Sequence, residues 1–250
     1  MTTTLKEIVR PWIEESCKIS LAQFGNKIHE VKADGSFVTK ADKDIEKFLR
    51  EKIENTFPTH RVLGEEFGGE NNIHGEQPVW IIDPIDGTEA YLTGLPTFAI
   101  SIALYEKGKC LYGAVCLPYM NQLLEIENGL VEFNGEPLDA PGDFLPPVMA
   151  SSNYFEDFDL PLSFKVRCLG SICFHGVYLA RGYCQAVLVT SGTLWDIAAL
   201  FPILESLGFQ ILSTQGEKID WRADAEVLQK PFYCVHPSNP AGFHPLRMQY

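Results

Sequence analysis

Asp83 and Asp86 close the apolar run Val79-Trp80-Ile81-Ile82, with Pro84 and Ile85 between them and Gly87-Thr88 behind. A run of this kind predicts a buried strand. Carboxylates at its C-terminal end stand where α/β sheets place their ligands. Pro84 restricts Asp83 to an extended conformation. Gly87 allows a tight turn and a close approach of a ligand to the main chain. Thr88 adds a hydroxyl beside both acids. Two carboxylates, a hydroxyl and open backbone amides point to a divalent cation together with phosphate.

Four further acids stand out by context. Glu65 and Glu66 follow Gly64 after a short apolar segment. Asp42 lies near a predicted helix start. Asp196 follows Trp195 at another, after Ser191-Gly192-Thr193. An acid at a helix start also complements the helix dipole, so Asp42 and Asp196 each carry a purely structural reading beside the chemical one. Other site types fail on spacing. The two acids stand three apart, which excludes the Asp-x-Asp of haloacid-dehalogenase phosphatases. Ile85 and Gly87 occupy positions where an EF-hand loop needs oxygen ligands. A Walker A loop is absent, and the six histidines lack zinc spacing. Hard oxygen donors suit Mg²⁺ or Mn²⁺. Two ions ~3.5–4 Å apart would share a bridging carboxylate, and Asp83 is the natural bridge.

These groups need a scaffold. Thr4 and Glu7 predict a capped first helix with Leu5, Ile8, Val9, Trp12, Ile13 and Cys17 on one face. A second helix starts near Thr39, buries Ile45, Phe48, Leu49 and Ile53, and ends at Phe57-Pro58. Residues 79–140 predict a largely antiparallel sheet, with hairpin turns at Asn128-Gly129 and Asn134-Gly135. The Pro- and Gly-bearing stretch 141–147 marks a boundary, which divides the chain into halves 1–145 and 146–250. In the second half Val148–Ser151, Val166–Leu169, Ala186–Val189, Gln210–Leu212 and Tyr233–Val235 predict strands. Ile172–Arg181 and Trp195–Leu207 predict helices, the latter kinked at Pro202. The fold class is therefore α/β, with an α+β first half and an α/β second half.

With 250 residues, 46% of them hydrophobic, the chain can bury a substantial core. A net charge of −13 argues against a nucleic-acid backbone as partner. Cations in the site would reverse the local sign and admit a phosphate ester. Seven cysteines without Cys-x-x-Cys spacing, several among apolar neighbours, predict free thiols in a reducing compartment. No segment reads as a signal peptide or a membrane span, so the expectation is a cytoplasmic protein without a membrane partner.

Gly64-Glu65-Glu66, Asp83-Pro84-Ile85-Asp86-Gly87-Thr88 and Trp195-Asp196-Ile197-Ala198-Ala199 resemble, in order and separation, the three motifs of the inositol monophosphatase family. These are Mg²⁺-dependent, lithium-sensitive phosphomonoesterases related to fructose-1,6-bisphosphatase, and the resemblance extends over nearly the whole chain. It implies a layered αβαβα sandwich, a homodimer and two or three Mg²⁺ ions. It also assigns roles. Glu65, Asp83 and the Ile85 carbonyl would bind one metal, and Asp83, Asp86 and Asp196 a second. A third ion would use Glu65 and water. Thr88 paired with Asp42 would orient and help deprotonate the attacking water. Gly87 and Thr88 amides would hold the phosphate, with Asp196 also facing the substrate. Glu66 would fix water beside the metal, and Lys32 would meet substrate phosphate or a carboxylate. The implied reaction is direct in-line attack by metal-activated water.

The chain departs from the pattern where the substrate binds. The stretch Leu188–Thr193 has no acid upstream of the Trp-Asp motif, and Glu89-Ala90-Tyr91 is where the chain leaves the inositol pattern, Ala90-Tyr91 replacing the usual Asn-Phe. Thr93-Gly94-Leu95-Pro96 and the Ala199–Glu205 segment are similar to the histidinol-phosphatase-like branch. The leading expectation is a phosphatase of a small phosphorylated polyol of the inositol monophosphate type. Histidinol phosphate or another sugar or nucleotide phosphate is the alternative. A non-catalytic relative that only binds a phosphorylated metabolite is the alternative of another class.

Overall fold

Thr4 starts the first helix as the sequence predicts. Its hydroxyl accepts from the Glu7 N–H, and the Glu7 carboxylate accepts from the Thr4 N–H. The computed structural model describes residues 3–70, 72–160, 164–222 and 228–238; the outer ends of the two predicted halves, 1–2 and 239–250, lie outside them. Helix α1 (Leu5–Gln23) and helix α2 (Lys40–Thr56) pack on the same face of a seven-stranded sheet. Its strands are β3 (Arg61–Gly64), β4 (Val79–Asp86), β5 (Ala99–Glu106), β6 (Lys109–Leu117), β7 (Gln122–Glu127), β8 (Leu130–Phe133) and β9 (Glu136–Pro137). They lie side by side in chain order; β3 runs parallel to β4 and every later neighbour is antiparallel. Asn128-Gly129 and Asn134-Gly135 both turn with positive φ, at 52° and 82° and at 51° and 84°. That is the backbone a tight hairpin requires.

Two cores sandwich the large sheet, which explains why β4 is buried throughout and apolar from Val79 to Ile82. Trp80 and Ile82 face Val9, Trp12, Ile45, Leu49 and Ile53 from α1 and α2. Val79 and Ile81 face the opposite core, with α4 (Ile172–Ala180) and α6 (Leu200–Ser206). Each such side chain contributes about 1.5–3 kcal/mol on burial. The second sheet covers the far side of those helices. Its order is β11 (Val166–Arg167), β10 (Val148–Ala150), β12 (Ala186–Val189), β14 (Phe232–Val235) and β13 (Gln210–Ser213). Val187 and Val189 point in to the helices, while Ala186 and Leu188 point out to Tyr154, Phe158, Leu160 and Phe164. The layers are thus helix, sheet, helix, sheet and an outer segment, the sandwich expected. Among the described residues no helix is long and apolar enough to cross a membrane.

Three local features differ from the expectation. Residues 29–39 form a hairpin, β1 (His29–Val31) with β2 (Phe37–Thr39), where only a loop is legible; β1 is exposed throughout, so no apolar alternation marks it. Strand β4 runs on through both acids to Asp86 instead of stopping at Ile82. The predicted helix 195–207 is two: α5 (Leu194–Ile197) and α6, parted at Ala198-Ala199. Pro202 has no N–H to give to the Ala198 carbonyl four residues back. The Tyr105 hydroxyl donates to that carbonyl instead, at 2.8 Å, so the break falls one turn before the proline.

Candidate active site

The two acids of β4 are brought to one side by a bulge. Asp83 pairs with Ser101 and Asp86 with Ala99, so Pro84 and Ile85 together oppose Ile100 alone. In a regular strand residues three apart face opposite sides. The extra residue of the bulge restores them to the same side, and Pro84, which cannot donate to a ladder, is a residue that tolerates this. Asp196, from α5, meets them: one oxygen of each of Asp83, Asp86 and Asp196 lies within 4.8 Å of the others.

Each of the three is held differently. Asp86 accepts from Ser171 Oγ at 2.7 Å, from Cys173 N at 2.5 Å and from Ile172 N at 3.3 Å, so it is anchored on the first turn of α4. Asp196 Oδ2 accepts from Thr193 N at 2.6 Å, which caps α5. Asp83 has the least support. It is 1% exposed, and its Oδ1 is buried with no hydrogen-bond partner among the described residues. Burial raises all three; neighbouring acids add to it at Asp83 and Asp196, while hydrogen bonds from Ser171, Cys173 and Ile172 offset part of it at Asp86. Asp83 stands well above its ordinary value, Asp86 at about 6 and Asp196 at about 7. A buried, unpartnered carboxylate oxygen among mutually repelling acids fits a divalent cation, which would supply the missing partner.

Asp42 serves two elements at once. Its Oδ2 accepts from Thr39 N at 2.9 Å and from the Thr39 hydroxyl, capping α2. Its Oδ1 faces the Thr88 hydroxyl at 3.3 Å, and that hydroxyl also lies 3.0 Å from the Ile85 carbonyl. The capping and chemical readings of Asp42 and Asp196 therefore coexist. Burial raises Asp42 to about 6 against its hydrogen bonds to Thr39. Gly87, at φ 90°, turns the chain from β4 into α3 (Thr88–Thr93). A Cβ there would stand 2.9 Å from the Gly170 carbonyl and from Ser171 Cβ, so the position needs glycine twice over.

Glu65 and Glu66 stand apart from the three-acid cluster. Lys32, in the turn between β1 and β2, donates to Glu65 Oε1 and Glu66 Oε1, each at 2.7 Å. Burial disfavours the Lys32 charge, yet the two ion pairs outweigh it and raise its pKa. Burial raises Glu65 above its ordinary value and Glu66 to about 6. The charge of Glu65 still reaches Asp83, where it is the largest contribution after burial. The site residues named from the sequence thus fall into the three-acid cluster, the Asp42–Thr88 pair beside Ile85 and Gly87, and the Lys32–Glu65–Glu66 group.

Two supports have no role assigned in the sequence reading. Glu46 is fully buried on α2 and accepts from Glu66 N at 2.7 Å, Phe67 N at 3.1 Å and Arg50 Nε at 2.8 Å. It holds the turn that carries Glu65 and Glu66. A Cβ on Gly64 would meet its carboxylate at 2.0 Å, which accounts for the glycine before the two acids. The legible signal was an acid on the apolar stripe of α2, between Asp42 and Leu49. Ser171, which fixes Asp86, is the other, and its position as N-cap of α4 was the sign.

Comparisons with known proteins agree with this geometry. A histidinol-phosphatase of Chlorobaculum parvum is 31% identical over 211 residues, covering 78% of this chain and 80% of that protein. An inositol-1-monophosphatase of Bacillus subtilis is 30% identical over 242 residues, covering 90% and 91%. The solved structure of a Thermotoga maritima IMPase superposes with a TM-score of 0.77 at 26% identity, over 90% of this chain and 89% of that one. The model of the inositol monophosphatase family matches residues 2–242. With its acids, its layers and its length all accounted for, the chain belongs to the inositol monophosphatase family, whose members are phosphatases of phosphomonoesters.

Proposed function

We propose that this phosphatase hydrolyses the monoester of a small polyol, of the inositol monophosphate type, with Mg²⁺ as cofactor. The observation that carries the reading is the unpartnered, buried Oδ1 of Asp83 beside Asp86 and Asp196. These three would hold Mg²⁺, with Glu65 and the Ile85 carbonyl completing the oxygen set for two or three ions; Mn²⁺ suits the same donors. Bound there, the metal supplies positive charge for the phosphoryl oxygens and acidifies water. The chain's own groups do the rest. Gly87 and Thr88 amides hold the phosphate, and Asp196 faces the alcohol. The Thr88 hydroxyl orients the attacking water, and the proton passes towards Asp42 Oδ1, whose raised pKa suits a base near neutrality. Lys32 and Glu66 set the charge and position of Glu65. The first half, 1–145, carries most of these groups and the second, 146–250, adds Asp196 and substrate contacts. A homodimer and inhibition by Li⁺ belong to the same reading and rest on family membership, while a cytoplasmic location is proposed on the free cysteines.

Histidinol phosphate is the second reading. It is favoured by the Chlorobaculum parvum relative and by the lack of an acid upstream of Trp195. The test is phosphate release from a panel containing both esters, with and without Mg²⁺ and Li⁺. Mg²⁺-dependent release is expected. Asp83→Asn is expected to cost more than the roughly 10–100-fold typical of losing an outer partner of a metal ligand. No Mg²⁺-dependent release from any ester would overturn the proposal.

A further inference from the structure

A cavity of about 310 Å³ opens beside the acid centre, and Ser171 and Ile172 line it while also holding Asp86. Its wall mixes polar and apolar groups and is unevenly charged. Ser151, Ser152 and Thr93 contribute hydroxyls, and Glu89 contributes the only formal charge among its lining residues. Among the described residues no lysine or arginine lines it. His175, also in the wall, accepts from Leu169 N through Nε2 at 3.1 Å, and burial lowers its pKa to about 4, so it adds no positive charge near neutrality. Glu89 is exposed and makes no ion pair among the described residues. It is a carboxylate left for something else to meet.

Resting on the phosphatase reading above, we propose that this cavity takes the alcohol part of the substrate and that Glu89 selects an alcohol bearing an ammonium group. An amino-alcohol phosphate places its cation against Glu89 while its ester reaches the acid centre next door. A second phosphate or a carboxylate at the same place meets a negative wall with no cation to receive it, and like charges at close range repel. Neutral polyols are accommodated by the hydroxyls without gain from Glu89.

Three esters of matched size read the charge alone: 2-aminoethyl phosphate, 2-hydroxyethyl phosphate and phosphoglycolate. In the wild type, kcat/KM for the ammonium ester exceeds that for the hydroxyl ester by about fivefold, the size of a partly screened ion pair, and the carboxylate ester is poorest. High ionic strength shrinks the ratio. Glu89→Gln brings the first two within about twofold of each other, and Glu89→Lys moves the preference to the carboxylate. An unchanged ratio in Glu89→Gln, or a wild-type preference for the carboxylate, overturns the proposal while leaving the phosphatase reading intact. If none of these three esters is hydrolysed, binding decides, and the phosphatase reading stands or falls on the wider ester panel. Cys168 lines the same cavity and is the one exposed cysteine among the seven. Ethanolamine slows its alkylation by iodoacetamide more than ethylene glycol does in the wild type, and not in Glu89→Gln. Equal slowing in the wild type, or none, overturns the assignment.

Discussion

Glu46 illustrates what a single side chain does here without touching the reacting groups. It accepts two backbone N–H groups of the Glu65-Glu66 turn and is paired with Arg50. Glu46→Gln keeps the shape but loses the charge that Arg50 and the turn amides satisfy. Mg²⁺ affinity, read by titration of activity or by calorimetry, is expected to fall roughly 10–100-fold with kcat at saturating Mg²⁺ less affected. An unchanged Mg²⁺ dependence would show that the turn stands without it. At this scale the sequence was most legible for acids that follow a glycine or end a strand, since those contexts are local. Glu46 and Ser171 act on residues distant in sequence, and nothing near them announces the partner. Tyr91 is the converse case. It marks a departure from the family pattern, yet its ring packs against Phe24 and Phe98 and its hydroxyl donates to the Ser20 carbonyl at 2.7 Å. The change at Tyr91 is one of core packing, and the change that faces the cavity is at Glu89 and Ala90.

Among the elements, the bulge in β4 decides the chemistry. The spacing of Asp83 and Asp86 excluded other acid motifs but gave no hint that both would lie within one strand, because an apolar run followed by acid and proline reads as a strand end. The pairing partner, β5, supplies the missing information through its register. Pro84→Ala restores an N–H that can join the ladder and lets the bulge relax. The expected result is weaker Mg²⁺ binding and lower kcat/KM, by about tenfold, with thermal stability unchanged or raised. Loss of stability in proportion to the loss of activity would contradict this account. Helices were more legible than strands: the capping boxes at Thr4 and Thr39 start α1 and α2 where expected. The exception, the break at Ala198-Ala199, depends on a tyrosine hydroxyl from β5 that no periodicity reports.

For the whole molecule, the acid centre reverses the usual relation between carboxylates and pH. Asp42, Glu66 and Asp86 are raised to about 6 and Asp196 to about 7, from ordinary values of 3.8 for Asp and 4.5 for Glu. Such groups bind more protons folded than unfolded between those limits. Their contribution to stability is full below about pH 4 and is lost as pH rises through 6 to 7. In EDTA the unfolding free energy from urea titration is expected to fall between pH 5 and 7.5, by on the order of a few kcal/mol in sum and with a matching drop in midpoint, partly buried Glu66 contributing least. Mg²⁺ is expected to restore it, and more at pH 7.5 than at pH 5. A midpoint flat in pH without metal, or Mg²⁺ protection equal at both values, would contradict the arrangement. The layered architecture was legible because alternating helices and strands leave few ways to stack. The juxtaposition of the halves was not, because it is made by side chains such as Thr97, Ser101 and Tyr105 reaching carbonyls 72 to 94 residues away. The anchoring of Asp86 belongs to the same class: Ser171 and Cys173 are 85 and 87 residues further along the chain. During synthesis, therefore, the first sheet emerges with its acids already on β4 but without the groups that fix one of them. Loop closure of that length comes late and slowly. The full acid centre needs Ser171, Cys173 and Asp196, so tight metal binding is expected only of a chain in which the late segments have been made and docked.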